Sequence, residues 1–106
     1  MTWYEVCRSA ALWPERGSVA LLRGQVIAVF RTRDDELYAI SNIDPCTGAS
    51  VMSRGIVGDR GGEPTIASPL HKQVFSLWTG ECMDEDVALP TFPVRARDGV
   101  VEVGLP

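Results

Sequence analysis

Two short loops contain the residues of this sequence that are most capable of chemistry. Residues 44–50 read Asp-Pro-Cys-Thr-Gly-Ala-Ser, and residues 68–73 read Ser-Pro-Leu-His-Lys-Gln. Cys46 could meet His71, the single histidine, across the two loops, and such a pair either shares a metal ion or activates the thiol as a nucleophile. With Asp44 as a third ligand the set still has fewer donors than structural zinc sites usually have. A metal site and an activated thiol are therefore the two chemical hypotheses for these loops.

A purely structural role explains the same residues. Asp44-Pro45 and Thr47-Gly48 favour tight turns in which the aspartate accepts hydrogen bonds from nearby backbone amides. The hydroxyl of Ser68 can make similar local bonds in the second loop. A lone histidine such as His71 is more often a hydrogen-bonded structural residue than a metal ligand. On this interpretation hydrogen bonds and packing hold the two loops.

The elements that must position these loops are predicted to be β-strands. Short segments rich in β-branched and aromatic residues alternate with turn residues, a pattern typical of an all-β sandwich or barrel. The predicted strands are residues 3–7, 18–22, 25–32, 37–41, 65–67, 74–76, 92–97 and 100–103. Arg23-Gly24 and Asp98-Gly99 predict two-residue hairpin turns, the second of type I′, and residues 33–36 predict a longer turn.

Two segments predict irregular structure. Residues 9–13 could form one helical turn capped by Ser9 and limited by Pro14, and no long amphipathic helix is predicted elsewhere. Residues 52–69 are rich in glycine and charged side chains, which favours a surface loop and a place where function could reside.

Size and composition limit the classes of function. A chain of 106 residues suits one globular domain, which we expect to span residues 1–106. The net charge of −4 and the pI near 4.8 argue against nucleic-acid binding, since that depends on basic patches. No apolar run approaches the ~18 residues of a membrane helix and no signal peptide is evident, so we expect a cytoplasmic protein without a membrane partner. Three cysteines without a secretory context indicate reduced thiols rather than a disulfide framework.

Motifs along nearly the whole chain resemble the Rieske iron–sulfur domain. They are Asp44-Pro45-Cys46-Thr47-Gly48-Ala49, Ser53-Arg54-Gly55, Ser68-Pro69-Leu70-His71, the segments from Phe75 to Gly80 and from Leu89 to Val94, and the closing hairpin around Asp98-Gly99. In that family the two loops read Cys-x-His-x-Gly-Ala and Cys-Pro-x-His-Gly. The resemblance implies that Asp44 and Ser68 stand at the cysteine positions, and that Cys46 and His71 stand at the histidine positions. Because a Rieske cluster needs two thiolates and two imidazoles, only His71 matches, and we expect no cluster and no bound metal in this chain.

A narrower resemblance is to the small subunits of assimilatory NAD(P)H-dependent nitrite reductases. It rests on residues 53–59, Ser-Arg-Gly-Ile-Val-Gly-Asp, and on residues 68–73. It implies a Rieske-like antiparallel β-fold with two metal-site-derived loops and little helix. It also implies a subunit without its own catalytic site, in an enzyme that reduces nitrite to ammonia with FAD, an iron–sulfur cluster and sirohaem in the large subunit.

The expected role of this chain is to dock on that large subunit through the loops at 44–60 and 68–73. The candidate contact residues are Arg54, Asp59, Arg60, Lys72 and Gln73, although a solvated surface would have the same composition. Two alternatives remain open at this stage. One is an autonomous Rieske-type electron carrier with unusual cluster ligands, and the other is a Rieske-like binding module of another oxygenase or reductase.

Overall fold

Strands form nearly all of the regular structure of this chain. The computed structural model describes all 106 residues. Its ten strands are β1 (Thr2–Arg8), β2 (Gly17–Leu22), β3 (Gln25–Arg31), β4 (Leu37–Ser41), β5 (Ile56–Arg60), β6 (Glu63–Ala67), β7 (Val74–Ser76), β8 (Thr91–Phe92), β9 (Val94–Arg97) and β10 (Val100–Leu105). The helical segments are two 3₁₀ turns, Ser9–Ala11 and Met52–Arg54. The prediction of an all-β fold with little helix is confirmed.

The strands form three antiparallel sheets, with the middle one packed on both faces. The orders are β1-β10-β9, β2-β3-β4-β8 and β5-β6-β7. Successive side chains of a strand point to opposite faces, so Ile27 and Val29 of β3 enter one core cluster while Ala28 and Phe30 enter the other. The cluster shared with the first sheet is Leu12, Ile27, Val29, Ala39, Val101, Val103 and Leu105. The cluster shared with the third sheet is Ala28, Phe30, Ile40, Met52, Ile66, Phe75, Leu77 and Leu89.

The predicted hairpin turns are confirmed. Arg23-Gly24 joins β2 to β3 in two residues, and Asp98-Gly99 joins β9 to β10 in the same way. All four residues have positive φ, between 50° and 79°, as a type I′ turn requires at both central positions. These turns set the register of the strands on either side.

The glycine-rich segment is where the prediction was wrong. Residues 52–69 do not form a surface loop: β5 and β6 pair through this segment, joined by the Gly61-Gly62 turn. Gly58 and the charged residues Asp59 and Arg60 of β5 have low intrinsic strand propensity, and pairing with β6 overrides it. Asp59 and Arg60 therefore belong to a strand.

Two smaller predictions also need correction. The 3₁₀ turn ends at Ala11, and Ser9 is not its cap, because Arg8 holds the capping position without a side-chain bond. The predicted strand 92–97 is split at Pro93, which has no backbone N–H to donate, into β8, which pairs with β4, and β9, which pairs with β10.

The fold brings the two loops of interest to the same place. The first loop follows β4 of the middle sheet, and the second joins β6 to β7 of the third sheet. Because the middle and third sheets share a core cluster, the ends of these strands carry the loops into contact. Neither helical segment has the length or apolar character of a membrane-spanning helix.

Candidate functional site

The two loops are joined by a buried hydrogen bond between side chains. Asp44 is 0 % exposed, and its two carboxylate oxygens have different partners. Oδ1 accepts a hydrogen bond from the backbone N–H of Cys46 at 2.8 Å. Oδ2 accepts one from the hydroxyl of Ser68 at 2.5 Å. A buried carboxylate is costly unless its oxygens are satisfied, so this arrangement makes Asp44 a structural centre of the site.

Backbone hydrogen bonds close each loop around these two residues. In the first loop the carbonyl of Asp44 accepts from Gly48 N–H at 2.8 Å, and the N–H of Asp44 donates to the carbonyl of Ala49 at 2.8 Å. In the second loop the carbonyl of Ser68 accepts from Lys72 N–H at 3.0 Å, and the hydroxyl of Ser68 accepts from Leu70 N–H at 3.3 Å. The structural interpretation of Asp44 and Ser68 made from the sequence agrees with this geometry.

Cys46 is exposed at the tip of the first loop, where its surroundings oppose the thiolate. Its Sγ lies 3.9 Å from Oε2 of Glu85. Partial desolvation, followed by the negative charges of Asp44 and Glu85, raises the pKa of this thiol above its ordinary value. An activated nucleophile needs the opposite shift, so the electrostatics do not favour the activated-thiol hypothesis.

The residues at the four ligand positions do not fit a Rieske cluster. Such a cluster needs two thiolates and two imidazoles, but Asp44 and Ser68, which the family resemblance aligns with the thiolate positions, are bonded to each other. His71 is exposed, and no group of three or more His, Cys, Asp or Glu side chains is placed to hold a metal ion. Asp44 and Ser68 therefore hold the two loops together by hydrogen bonding rather than by metal ligation.

The five candidate docking residues lie in three different settings. Arg54 and Lys72 are exposed and form no ion pair. Arg60 pairs with Asp84 at 3.3 Å, and Oδ2 of Asp59 accepts from Gly62 N–H at 3.0 Å. Gln73 is half-buried, and its side-chain Oε1 has no hydrogen-bond partner. Arg54 and Lys72 are therefore the cations of this set that are free to meet a partner.

Sequence reasoning missed two exposed apolar residues beside these cations. Ile56, at the start of β5, is 74 % exposed, and Leu70, in the second loop, is 48 % exposed. Both lie in segments that the sequence predicted to be loops, so their side chains were not considered. Ile56 could have been noticed, because it is an apolar residue between glycines and charged residues. Ile56 and Leu70 each lie two residues from one of these cations, so this part of the surface offers a partner both apolar area and positive charge.

A second feature missed by sequence reasoning is a groove beside β5. Trp78 is 56 % exposed and donates its indole N–H to the hydroxyl of Tyr38 at 3.1 Å. The two rings line a cavity of about 760 Å³ together with several acidic residues. No single stretch of sequence contains this cavity, because its walls come from separate strands.

Comparisons with known proteins place this geometry in a family. Residues 2–104 match the sequence profile of the Rieske-like [2Fe-2S] domain. The small subunit of the NADH nitrite reductase of Escherichia coli K12 is 43 % identical over 103 residues, which are 95 % of each chain. A crystal structure from Mycobacterium tuberculosis, assigned as an NADH-dependent nitrite reductase small subunit, is similar to this fold with a TM-score of 0.93 and 44 % sequence identity. The superposition covers 96 % of this chain and 93 % of that one.

One further relative is a much longer protein. The large subunit of the NAD(P)H nitrite reductase of Klebsiella oxytoca is 40 % identical over 103 residues, which are 96 % of this chain but 11 % of that subunit. A domain of this kind is thus part of a large-subunit polypeptide in that organism.

Proposed function

This chain belongs to the Rieske-like [2Fe-2S] domain family, among the small subunits of NAD(P)H-dependent nitrite reductases, and we propose that it docks on and supports the large subunit of such an enzyme. The enzyme reduces nitrite to ammonia in the cytoplasm. FAD, an iron–sulfur cluster and sirohaem reside in the large subunit. The chain acts as one domain over residues 1–106 and supplies no catalytic group and no cofactor of its own.

The observation that carries this proposal is the match to part of the Klebsiella oxytoca large subunit. In that protein the equivalent of this chain is covalently attached to the rest of the large subunit. Covalent attachment holds two domains at high effective concentration, so a weak interface between them suffices. A separate small subunit must replace that attachment with contacts of its own.

The surface that we propose for these contacts, called the loop tip below, comprises Arg54 and Ile56, which follow the first loop, and Leu70 and Lys72 of the second. Arg54 and Lys72 supply unpaired positive charge, and Ile56 and Leu70 supply apolar area beside it. The bond between Asp44 and Ser68 keeps the two loops in one arrangement before the partner arrives. A pre-formed surface loses less conformational entropy on binding than a flexible one.

Co-purification tests the proposal directly. The large subunit encoded with this chain is expressed with an affinity tag, with and without the untagged small chain. We expect the small chain to co-purify in stoichiometric amount and to increase the yield or nitrite-reducing activity of the large subunit. Failure of the wild-type chain to associate under any salt condition would refute the proposal.

A further inference from the structure

The groove beside β5 has a charge that its own residues do not neutralise. Four carboxylates line it, from Glu15, Asp34, Glu36 and Asp59. Arg33 is the one basic lining residue, and it pairs with Glu15 at 3.1 Å. The other three carboxylates have no ion-pair partner, so the cavity presents concentrated negative charge to a ligand.

The backbone of β5 contributes an open strand edge to the same groove. β5 is the outer strand of its sheet, and the two-residue turn at Gly61-Gly62 makes Arg60 and Glu63 a hydrogen-bonded pair. Bonded and non-bonded pairs then alternate, so the N–H and C=O groups of Val57 and Asp59 point away from β6. Both residues line the groove.

Pro64 provides an independent check of this alternation. It lies opposite Asp59, and its carbonyl accepts a hydrogen bond from Leu77 N–H at 2.9 Å on the β7 side. Its carbonyl, the one ladder group that a proline has, therefore faces β7 and not β5. The backbone of another polypeptide can form hydrogen bonds along an unpaired strand edge, whereas a small cation or a metal ion cannot.

An aromatic wall extends the groove into a second, apolar cavity. Tyr38 and Trp78 line both cavities, and the second one, of about 390 Å³, is lined mainly by apolar residues that include Leu37 and Phe92. The bond between the indole N–H and the Tyr38 hydroxyl fixes the orientation of the Trp78 ring. A guanidinium or ammonium group can stack on such a ring, with an apolar side chain beyond it.

We infer that this groove binds an extended segment of the large subunit that carries a basic residue and, close to it in sequence, an apolar one. The segment adds as a strand along Val57 and Asp59. Its basic side chain enters the negative cavity against Trp78, and its apolar side chain enters the adjoining cavity. This inference rests on the proposed function and assigns a second contact surface, whose residues differ from those of the loop tip.

Affinity measurements on the complete complex test the groove with two matched pairs of variants. Immobilised large subunit is titrated with the small chain at low and moderate salt. Glu36→Lys reverses an exposed groove charge, and Glu5→Lys makes the same change on the exposed face of β1. Trp78→Ala removes the tryptophan of the aromatic wall, and Trp13→Ala removes another exposed tryptophan, which lies outside the groove. We expect each groove variant to raise Kd at least about fivefold and each control to leave it unchanged.

Amide hydrogen exchange supplies the second measurement and does not depend on any variant. In the complex, the amides of Val57 and Asp59 should gain protection, while that of Gly58, already bonded to β6, should change little. Wild-type binding with equal effects of groove and control variants would overturn the inference but not the proposed function. Alternating protection at high protein concentration without the large subunit would instead identify a second copy as the occupant and also overturn it. Absence of wild-type binding would refute the proposed function itself.

Discussion

The hydroxyl of Ser68 donates a hydrogen bond to the buried carboxylate of Asp44 at 2.5 Å, across 24 residues of sequence. In the family pattern these two positions hold the thiolates of an iron–sulfur cluster. Here the same two positions hold the loops together by direct contact.

Removing this hydrogen bond should destabilise the fold. Ser68→Ala leaves Oδ2 of a fully buried carboxylate without its donor, which should cost about 1–3 kcal/mol of unfolding free energy. Urea denaturation followed by tryptophan fluorescence measures the change. Asp44→Asn can still pair with the Ser68 hydroxyl through its amide, so it should cost less than Asp44→Ala.

Ser18→Ala is a suitable control, since Ser18 is a half-buried serine on β2, away from both loops. It should change the unfolding free energy by less than Ser68→Ala does. Equal losses for the two serines would show that the contact with Asp44 contributes nothing specific.

The chain should contain no iron–sulfur cluster. Two of the four ligand positions are committed to the bond between Asp44 and Ser68, and neither side chain is the soft donor that the cluster requires. Protein purified without oxygen from iron-supplemented cells should lack visible absorption, iron and acid-labile sulfide. Stoichiometric iron and sulfide would contradict this expectation and favour the electron-carrier alternative.

The predictability of each element from sequence follows from how locally its conformation is determined. Leu37–Ser41 and Val74–Ser76 were predicted with their observed bounds, because β-branched and aromatic residues between turn signals specify a strand locally. Asp98-Gly99 was predicted for the same reason, since its turn type depends on two residues. β5 was missed because Gly58 and its charged neighbours carry no local strand signal, and only the pairing with β6 makes it a strand.

The candidate site shows the same division between local and long-range information. The turn-forming role of Asp44 could be predicted from its own loop. Its bond to Ser68 and the half-exposed position of Trp78 could not, since both depend on how separate strands are placed in three dimensions. The family resemblance aligned Asp44 and Ser68 with a common site, but it did not indicate that they touch.

The thiol of Cys46 should react slowly with alkylating agents. Its pKa is raised, so the reactive thiolate is a smaller fraction at any pH below that pKa than in the unfolded chain. The pH profile of iodoacetamide labelling, followed by peptide mass spectrometry, should therefore be shifted upward relative to the denatured protein.

Glu85→Gln tests one cause of this shift. Removing its negative charge, 3.9 Å from Sγ, should lower the pKa of Cys46 and increase the labelling rate at pH 8 about twofold or more. Asp86→Asn removes the same charge from the neighbouring residue and should have a smaller effect. A lower labelling rate in Glu85→Gln would contradict the electrostatic explanation.

Reversing the two free cations of the loop tip should weaken binding to the large subunit. Arg54→Glu with Lys72→Glu replaces unpaired positive charge beside Ile56 and Leu70, while neither substitution breaks an ion pair within the chain. We expect the Kd to increase at least about tenfold at low salt and less at high salt, because solvent-exposed charges are screened. Arg8→Glu with Arg97→Glu makes the same charge change on the first sheet and should leave the Kd unchanged. If both double variants weaken binding equally, net charge and not the loop tip determines association.

If the loop tip and the groove beside β5 are independent contacts, the losses of binding free energy from the Arg54/Lys72 double variant and from Glu36→Lys should add in the combined variant.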